Sequence, residues 1–258
     1  EHNLSRFESS YTKPYGAILV TGPTGSGKST TLYATLNVLN RPEVNIITTE
    51  DPVEYRLAGI TQVQVNRKAG LTFASALRSI LRADPDIALI GDILDKETAQ
   101  IDIEAALTGH LVLSTLHTND SSSSIGRLIE MDVEPYLVAS SIDAILAQRL
   151  ARRLCEKCRV EAKPDVARFE AANLEVPKMV YAPEGCQSCS NTGYRGRLAL
   201  HEVLLVSEDI QRMAVERRPS DEIQVVAIEQ GMTTLWQDGL EKVASGMTSL
   251  EEIMRVVA

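Results

Sequence analysis

Residues 22–29 read Gly-Pro-Thr-Gly-Ser-Gly-Lys-Ser and fit the pattern G-x-x-x-x-G-K-[ST]. The stretch directly follows the apolar run GAILVTG (16–22). It directly precedes STTLYATLNVL (29–39), in which Leu32, Leu36 and Leu39 fall on one helical face. Strand, glycine loop and helix in that order make a cradle for phosphate. Gly22, Gly25 and Gly27 let the backbone curl so that N–H groups point at phosphate oxygens. The N-terminus of the following helix adds partial positive charge. Lys28 places an ammonium on the β- and γ-phosphates, and Ser29 offers a hydroxyl to Mg²⁺. The expected ligand is ATP, held by Gly22, Pro23, Thr24, Gly25, Ser26, Gly27, Lys28, Ser29 and Thr30.

The neighbouring segments keep alternating. NIITTEDP (45–52) is a β-branched strand stopped by Asp-Pro, and TQVQV (61–65) alternates like an edge or paired strand. TFASALRSILR (72–82) has helical spacing, with Thr72 as a cap. IALIG (87–91) and HLVLST (110–115) are near-continuous apolar runs, the pattern of parallel strands buried on both faces. KETAQIDIEAAL (96–107) between them is helical. The fold class expected is therefore α/β, a largely parallel sheet with helices on both sides. At 258 residues the chain has room for one large domain, or a main domain with small attachments. A net charge of −9 argues against general affinity for nucleic acid or anionic membrane. No run of about 18 apolar residues is present, so no transmembrane segment is expected. The opening EHNLSRF has neither Met nor a signal-like apolar core, which predicts neither a secretory precursor nor a complete gene product.

Hydrolysis needs a group to orient or deprotonate water and help in holding the metal. Acids at strand ends supply candidates, because catalytic groups of a parallel sheet gather at its carboxyl edge. TTEDPVE (48–54) offers Glu50, Asp51 and Glu54; IGDILD (90–95) offers Asp92 and Asp95. Asp95 precedes KETAQ and reads as a helix cap. Asp92 directly follows the buried strand and reads as an active-site carboxylate. Glu54 reads equally as a site residue or a solvated loop acid. His110 and His117 bracket the strand LVLSTL, either as satisfied structural residues or in a phosphate-sensing or strand-linking role.

The character changes after about residue 153. Cys155 and Cys158 form one C-x-x-C and Cys186 and Cys189 another, with 27 residues between. Four thiolates so paired suit a closed structural Zn²⁺ site in a reducing compartment better than disulfides. From Ser207 onward SEDIQRMAVERR, SDEIQVVAIEQG, TTLWQDGLEKVASG and TSLEEIMRVV read as a small helical bundle. Thr248 to Glu251 has capping-box spacing, and Gly231 and Gly246 sit where helices should stop.

GPTGSGKSTTLYATL, TTEDPVEY, GLTFASALRSILRADPD, TGHLVLSTLHTND and AQRLARRLCEKC, in that order, resemble the ATPases that drive type II secretion and type IV pilus assembly. The resemblance covers essentially the whole chain. It implies a RecA-like P-loop core over 1–153, a tetracysteine zinc-binding subdomain over 154–198 and a C-terminal helical subdomain over 199–258. It implies a cytoplasmic, Mg-dependent ATPase that is a homo-hexamer in the full-length protein. Such a motor would be tied peripherally to the inner membrane through a platform protein and its cytoplasmic adaptor, and would move pilin-like subunits. By residue, it implies Lys28 and Ser29 on nucleotide and metal, Glu54 and Asp92 near the γ-phosphate and water, and His117 in the segment called the His box. Arg127 and Arg197 resemble the arginines this family brings toward the phosphates; Arg78 and Arg82 lie in another family block. The tetracysteine element favours the assembly or secretion side over retraction motors, and its short span leans towards type II secretion.

Two departures from the family pattern set further expectations. The usual Gly-Glu-Ile-Arg-Asp is here Gly91-Asp92-Ile93-Leu94-Asp95. A carboxylate set back by about 1.5 Å loses reach to the attacking water, and such misplacement can cost on the order of a hundredfold in rate. The family's N-terminal domain is missing, which predicts an excised motor fragment with weaker nucleotide binding and poor hexamerisation. Two other functions compete: a nucleic-acid motor on a similar core, and a catalytically weak nucleotide-binding structural partner. The acidic balance and only 11 aromatic residues speak against the first, and no nucleic-acid partner is expected.

Overall fold

The strand that feeds the phosphate loop, β1 (Gly16–Thr21), is buried at every position, as a strand covered on both faces must be. In the computed structural model, which describes residues 2–257, helix α1 (His2–Tyr11) precedes it and α2 (Lys28–Leu39) follows the loop. Then come β2 (Ile46–Glu50), β3 (Thr61–Gln64), α3 (Phe73–Ile80), β4 (Ile87–Ile90), α4 (Lys96–Leu107) and β5 (Leu111–Leu116). Helices α5 (Ser122–Glu130) and α6 (Pro135–Ser141) lead into the long strand β6 (Ile142–Leu154). Beyond it lie β7 (Arg159–Ala162), α7 (Val166–Ala171), β8 (Val180–Pro183) and β9 (Tyr194–Leu205). The chain continues through α8 (Glu208–Val215), α9 (Ser220–Glu229), α10 (Leu235–Ala244) and α11 (Leu250–Val257).

Seven strands form one sheet in the order β3-β2-β4-β5-β1-β6-β9. β1 runs parallel to β5 and β6, β2 parallel to β3 and β4, and β4 parallel to β5. TQVQV is thus an edge strand. Side chains alternate between two apolar layers, as the two-residue period of a strand requires. Leu19, Ile90, Val112 and Leu116 pack with Leu77, Ile103, Ile125 and Val138. Ile18, Val20, Leu89 and Leu113 pack with Leu32, Tyr33 and Leu36 of α2 and Phe7 and Tyr11 of α1. Thr72 caps α3 through a reciprocal exchange with Ser75, as the spacing predicts.

The chain divides into two compact units: residues up to 147 with 203–232, and residues 148–202 with 233 onward. The sequence reading expects three consecutive segments ending at 153, 198 and 258. The C-terminal region is helical as expected, but its helices part company. α8 and α9 belong to the first unit because Ile210, Ala214, Ile223 and Ala227 complete the apolar layer over α5 and α6. In the second unit α10 packs on α11 and on β8, and β7 pairs antiparallel with β8. A Cβ at Gly239 of α10 would lie 2.7 Å from Ile253 Cγ2 of α11, so the two helices meet as closely as glycine permits. Gly231 (φ 88°) and Gly246 (φ 70°) close α9 and α10 in the left-handed conformation. The cap of α11 is Ser249, whose hydroxyl accepts the Glu252 N–H at 3.3 Å. Thr248, one residue earlier than the capping-box spacing needs, donates its hydroxyl to the Arg152 carbonyl at 2.8 Å instead. Among the described residues no helix is long and apolar enough to cross a membrane.

Candidate nucleotide site and tetracysteine cluster

The loop after β1 turns on Gly25 (φ 79°) and Gly27 (φ 92°), conformations that cost an L side chain energy and glycine none. Gly27 caps α2 with no side chain, so no capping side-chain oxygen occupies the N-terminus of the helix. No acid lies in that first turn to neutralise its partial positive charge. Lys28 opens the helix, is buried, and folds its Nζ back to the carbonyls of Gly22 at 2.9 Å and Pro23 at 3.4 Å. Pro23, Thr24, Gly25, Ser29 and Thr30 are exposed around it. Donor geometry, charge and access all suit a phosphate chain with a magnesium ion at the Ser29 hydroxyl.

Strand pairing carries two further site residues to the same edge of the sheet. The Gly91 N–H donates to Thr49 O at 2.7 Å and the Ile93 N–H to Thr115 O at 2.9 Å, which seats Asp92 between β2 and β5. The Asp92 carboxylate accepts the Thr115 hydroxyl and stands 3.3 Å from His117 Nε2. His117 therefore links the ends of β4 and β5. The His box is stitched to the phosphate-loop strand as well: the Thr118 N–H donates to Thr21 Oγ1 at 2.9 Å, and the two hydroxyls meet at 2.6 Å. Asp95 caps α4, accepting the Thr98 N–H at 2.8 Å. His110 Nδ1 meets the Ala105 carbonyl at 3.0 Å at the other end of that helix, a satisfied structural histidine.

The acids of 48–54 separate by burial. Glu54 is exposed in the loop after β2. Glu50 is buried and accepts from Tyr33, Thr48 and Gln62. Burial and the Glu50 carboxylate push the Tyr33 hydroxyl up to about 12. Arg127 is exposed on α5 and pairs with Glu130 of its own helix at 3.4 Å. Arg78 pairs with Glu97 at 2.7 Å, and Arg82 is exposed. Arg197 lies on an exposed stretch of β9, in the second unit. Sequence reasoning singled out neither Tyr33, Gln62 nor Thr115. Glu50, one of the candidate strand-end acids, is instead the last of five consecutive buried positions in β2.

In the second unit the four cysteine Sγ atoms lie within 4.8 Å of one another. Cys155–Cys186, Cys158–Cys189 and Cys186–Cys189 are separated by 3.9, 3.7 and 3.8 Å. A tetrahedron with Zn–S bonds of about 2.3 Å has edges of about 3.8 Å, so the donor set fits zinc. The N–H groups of Cys186 and Gly193 donate to Cys189 Sγ at 3.2 and 3.3 Å. Burial pushes the Cys189 thiol up, but those N–H groups outweigh it and hold the thiol at about 6. A side chain at Gly193 would collide with Pro183, its Cβ only 2.4 Å from the proline's, so glycine is what lets the second knuckle close.

A glycine phosphate loop between β1 and α2, in a parallel sheet whose next strand ends present a paired Asp92 and His117, defines a P-loop nucleotide-binding core. Residues 1–255 match the family model described as Type II/IV secretion system protein, and the chain belongs to that family. It is 50% identical over 256 residues to a type II secretion system protein E of Pectobacterium carotovorum, covering 99% of this chain and 51% of that protein. It is 49% identical over 255 residues to the type IV pilus assembly ATPase PilB of Thermus thermophilus, covering 97% of this chain and 29% of that protein. The chain thus spans about half the length, or less, of these curated relatives. Among solved structures it superposes on the pilus retraction motor PilT with bound ADP at a TM-score of 0.73 and 28% identity, over 97% of this chain and 63% of that one.

Proposed function

We propose that the chain is the ATP-binding and ATP-hydrolysing motor region of a protein that powers type II secretion or type IV pilus assembly. The observation that carries this reading is the joining of three segments at one sheet edge. Thr21 ties the phosphate loop to Thr118, and Asp92 is held by Thr115 and His117 on the adjoining strands. Lys28 and N–H groups of the glycine loop and the first turn of α2 bind the β- and γ-phosphates. Ser29, with Asp92 facing the same edge, holds magnesium. When bound, that ion neutralises charge developing on the phosphoryl oxygens. Glu54 orients or deprotonates the attacking water, Asp92 assists, and His117 fixes Asp92. Arg127 and Arg197 are proposed to approach the phosphates in the assembled motor, a homo-hexamer of the full-length protein. The cysteine quartet holds one zinc ion that closes the second unit's knuckles. The motor is proposed to work in the cytoplasm, on a platform protein and adaptor at the inner membrane, as the resemblance to secretion and pilus-assembly ATPases implies.

A weakened site is favoured by one observation. Asp92 is short, is already engaged by Thr115 and His117, and lies two residues before an exposed Leu94, at the position where the resemblance implies arginine. Phosphate release should be slow in the wild-type chain, lower but still measurable in Glu54→Gln, and raised in the double variant Asp92→Glu, Leu94→Arg. Undiminished release in Glu54→Gln would refute the assignment of the water-handling acid. No gain in the double variant would dispose of the weakened site.

A further inference from the structure

A buried carboxylate in the first unit is held by three side chains beside the proposed site. Glu50, at the end of β2, takes hydrogen bonds from three elements: Tyr33 of α2, Thr48 of β2 and Gln62 of β3. A buried carboxylate is tolerated only with such partners. Its partners reach onward to the loop that bears Glu54. Tyr33 Oη, donating to Glu50, accepts the Glu54 N–H at 3.3 Å. Gln62 Nε2 donates to the Tyr55 carbonyl at 3.2 Å, and its Oε1 accepts the Leu57 N–H at 2.7 Å. The Tyr55 ring meets the Tyr33 ring edge-on, centroids 4.7 Å apart. One main-chain group of this loop, the Glu54 N–H, is thereby fastened to the helix that grows out of the phosphate loop, and two more, at Tyr55 and Leu57, to Gln62 of β3, whose Nε2 also donates to Tyr33 Oη at 3.4 Å.

We infer that Glu50 and Tyr33 are positioning residues: Glu50 orients the Tyr33 hydroxyl, and that hydroxyl sets the distance between the Glu54 loop and α2. This rests on the reading of Glu54 as the acid that handles water. The physical demand is plain. An exposed loop acid must be held to within a fraction of an ångström of its working position, and an error of about 1 Å can cost on the order of a hundredfold in rate. Among the described residues the Tyr33 and Glu50 side chains hydrogen-bond to one another, Thr48, Glu54 and Gln62 and not to residues 22–30, so nucleotide affinity is left to Lys28 and the loop.

The test is a kinetic cycle on this chain. Tyr33→Phe should lower kcat about tenfold or more while KM for ATP stays within about threefold. Hydrogen exchange at the amides of residues 54–57 should quicken. Glu50→Gln, which keeps the side chain's size, should move both readouts the same way. In a Glu54→Ala background Tyr33→Phe should bring no further loss, because residues acting through one group are not additive. Equal losses in both backgrounds, a KM that rises in step with the fall in kcat, or unchanged turnover in Tyr33→Phe would each overturn the inference. A wild-type chain that turns over while Tyr33→Phe matches it refutes this inference alone. A wild-type chain without turnover refutes the hydrolytic reading and this one with it.

Discussion

Asp102→Asn should reverse the sign of its stability effect between acid and alkaline pH. Asp102 sits in α4, fully buried, with Oδ1 accepting the Ser114 hydroxyl at 2.9 Å and Oδ2 without a hydrogen-bond partner among the described residues. Burial raises its carboxyl to about 7 from the ordinary 3.8, against the opposing pull of Ser114. A shift of about 3 units at 1.36 kcal/mol each corresponds to about 4 kcal/mol. Because the folded value lies above the unfolded one, the neutral form suits the fold. The Asp102 contribution to stability is greatest below pH 4, declines as pH rises from about 4 to 7, and is lowest above 7. Asparagine is neutral throughout, keeps an oxygen for Ser114, and buries an amide N–H₂ at a cost of about 1–3 kcal/mol. The variant should therefore be about 1–3 kcal/mol more stable than wild type at pH 8.5, and less stable by the amide's cost near pH 4. Urea unfolding of both proteins at both pH values measures this, and taking variant minus wild type cancels every other titration. The same difference at the two pH values would refute the reasoning.

Three further outcomes follow from the second unit. The Glu252 side chain is fully buried and bridged by Arg152 and Arg255; burial would raise its carboxyl, but the Arg255 and Arg152 bonds hold it at about 2. Its stabilisation is present above about pH 4.5 and lost as pH falls towards 2. Glu252→Gln should therefore cost about 2–4 kcal/mol at pH 7 in chemical denaturation and progressively less in acid. Gly239→Ala forces a methyl to within 2.7 Å of Ile253 and should lower stability by about 1–2 kcal/mol despite alanine's better helix propensity, read as a fall in melting temperature. Metal analysis should find about one zinc per chain, lost in Cys158→Ser together with protease resistance of residues 148–202.

How much of this could be read beforehand varied with the distance over which each feature is determined. The phosphate loop, the parallel strands, the Thr72 and Asp95 caps and the cysteine pairing are local patterns, and the structure carries each of them. β6 was not legible. IDAILAQRLARRL is rich in residues that favour helices, yet it forms a strand because its first residues pair with β1, and such pairing overrides propensity. The grouping of α8 and α9 with the first unit depends on an apolar face left open by α5 and α6, which no single segment reveals. Within the site, Asp92 could be anticipated from the strand before it. Its partner Thr115 could not, since that contact depends on the register of β4 against β5. Glu50 and Tyr33 lie 17 residues apart and meet only through α2 packing on β2.

Nucleotide binding by the phosphate loop underlies every step proposed for this chain. Isothermal titration with a non-hydrolysable ATP analogue and magnesium should give one site per chain in the wild type. It should give no measurable heat of binding in Lys28→Ala, whose circular dichroism is unchanged. Binding retained by Lys28→Ala, or absent from a folded wild-type chain, would contradict the assignment.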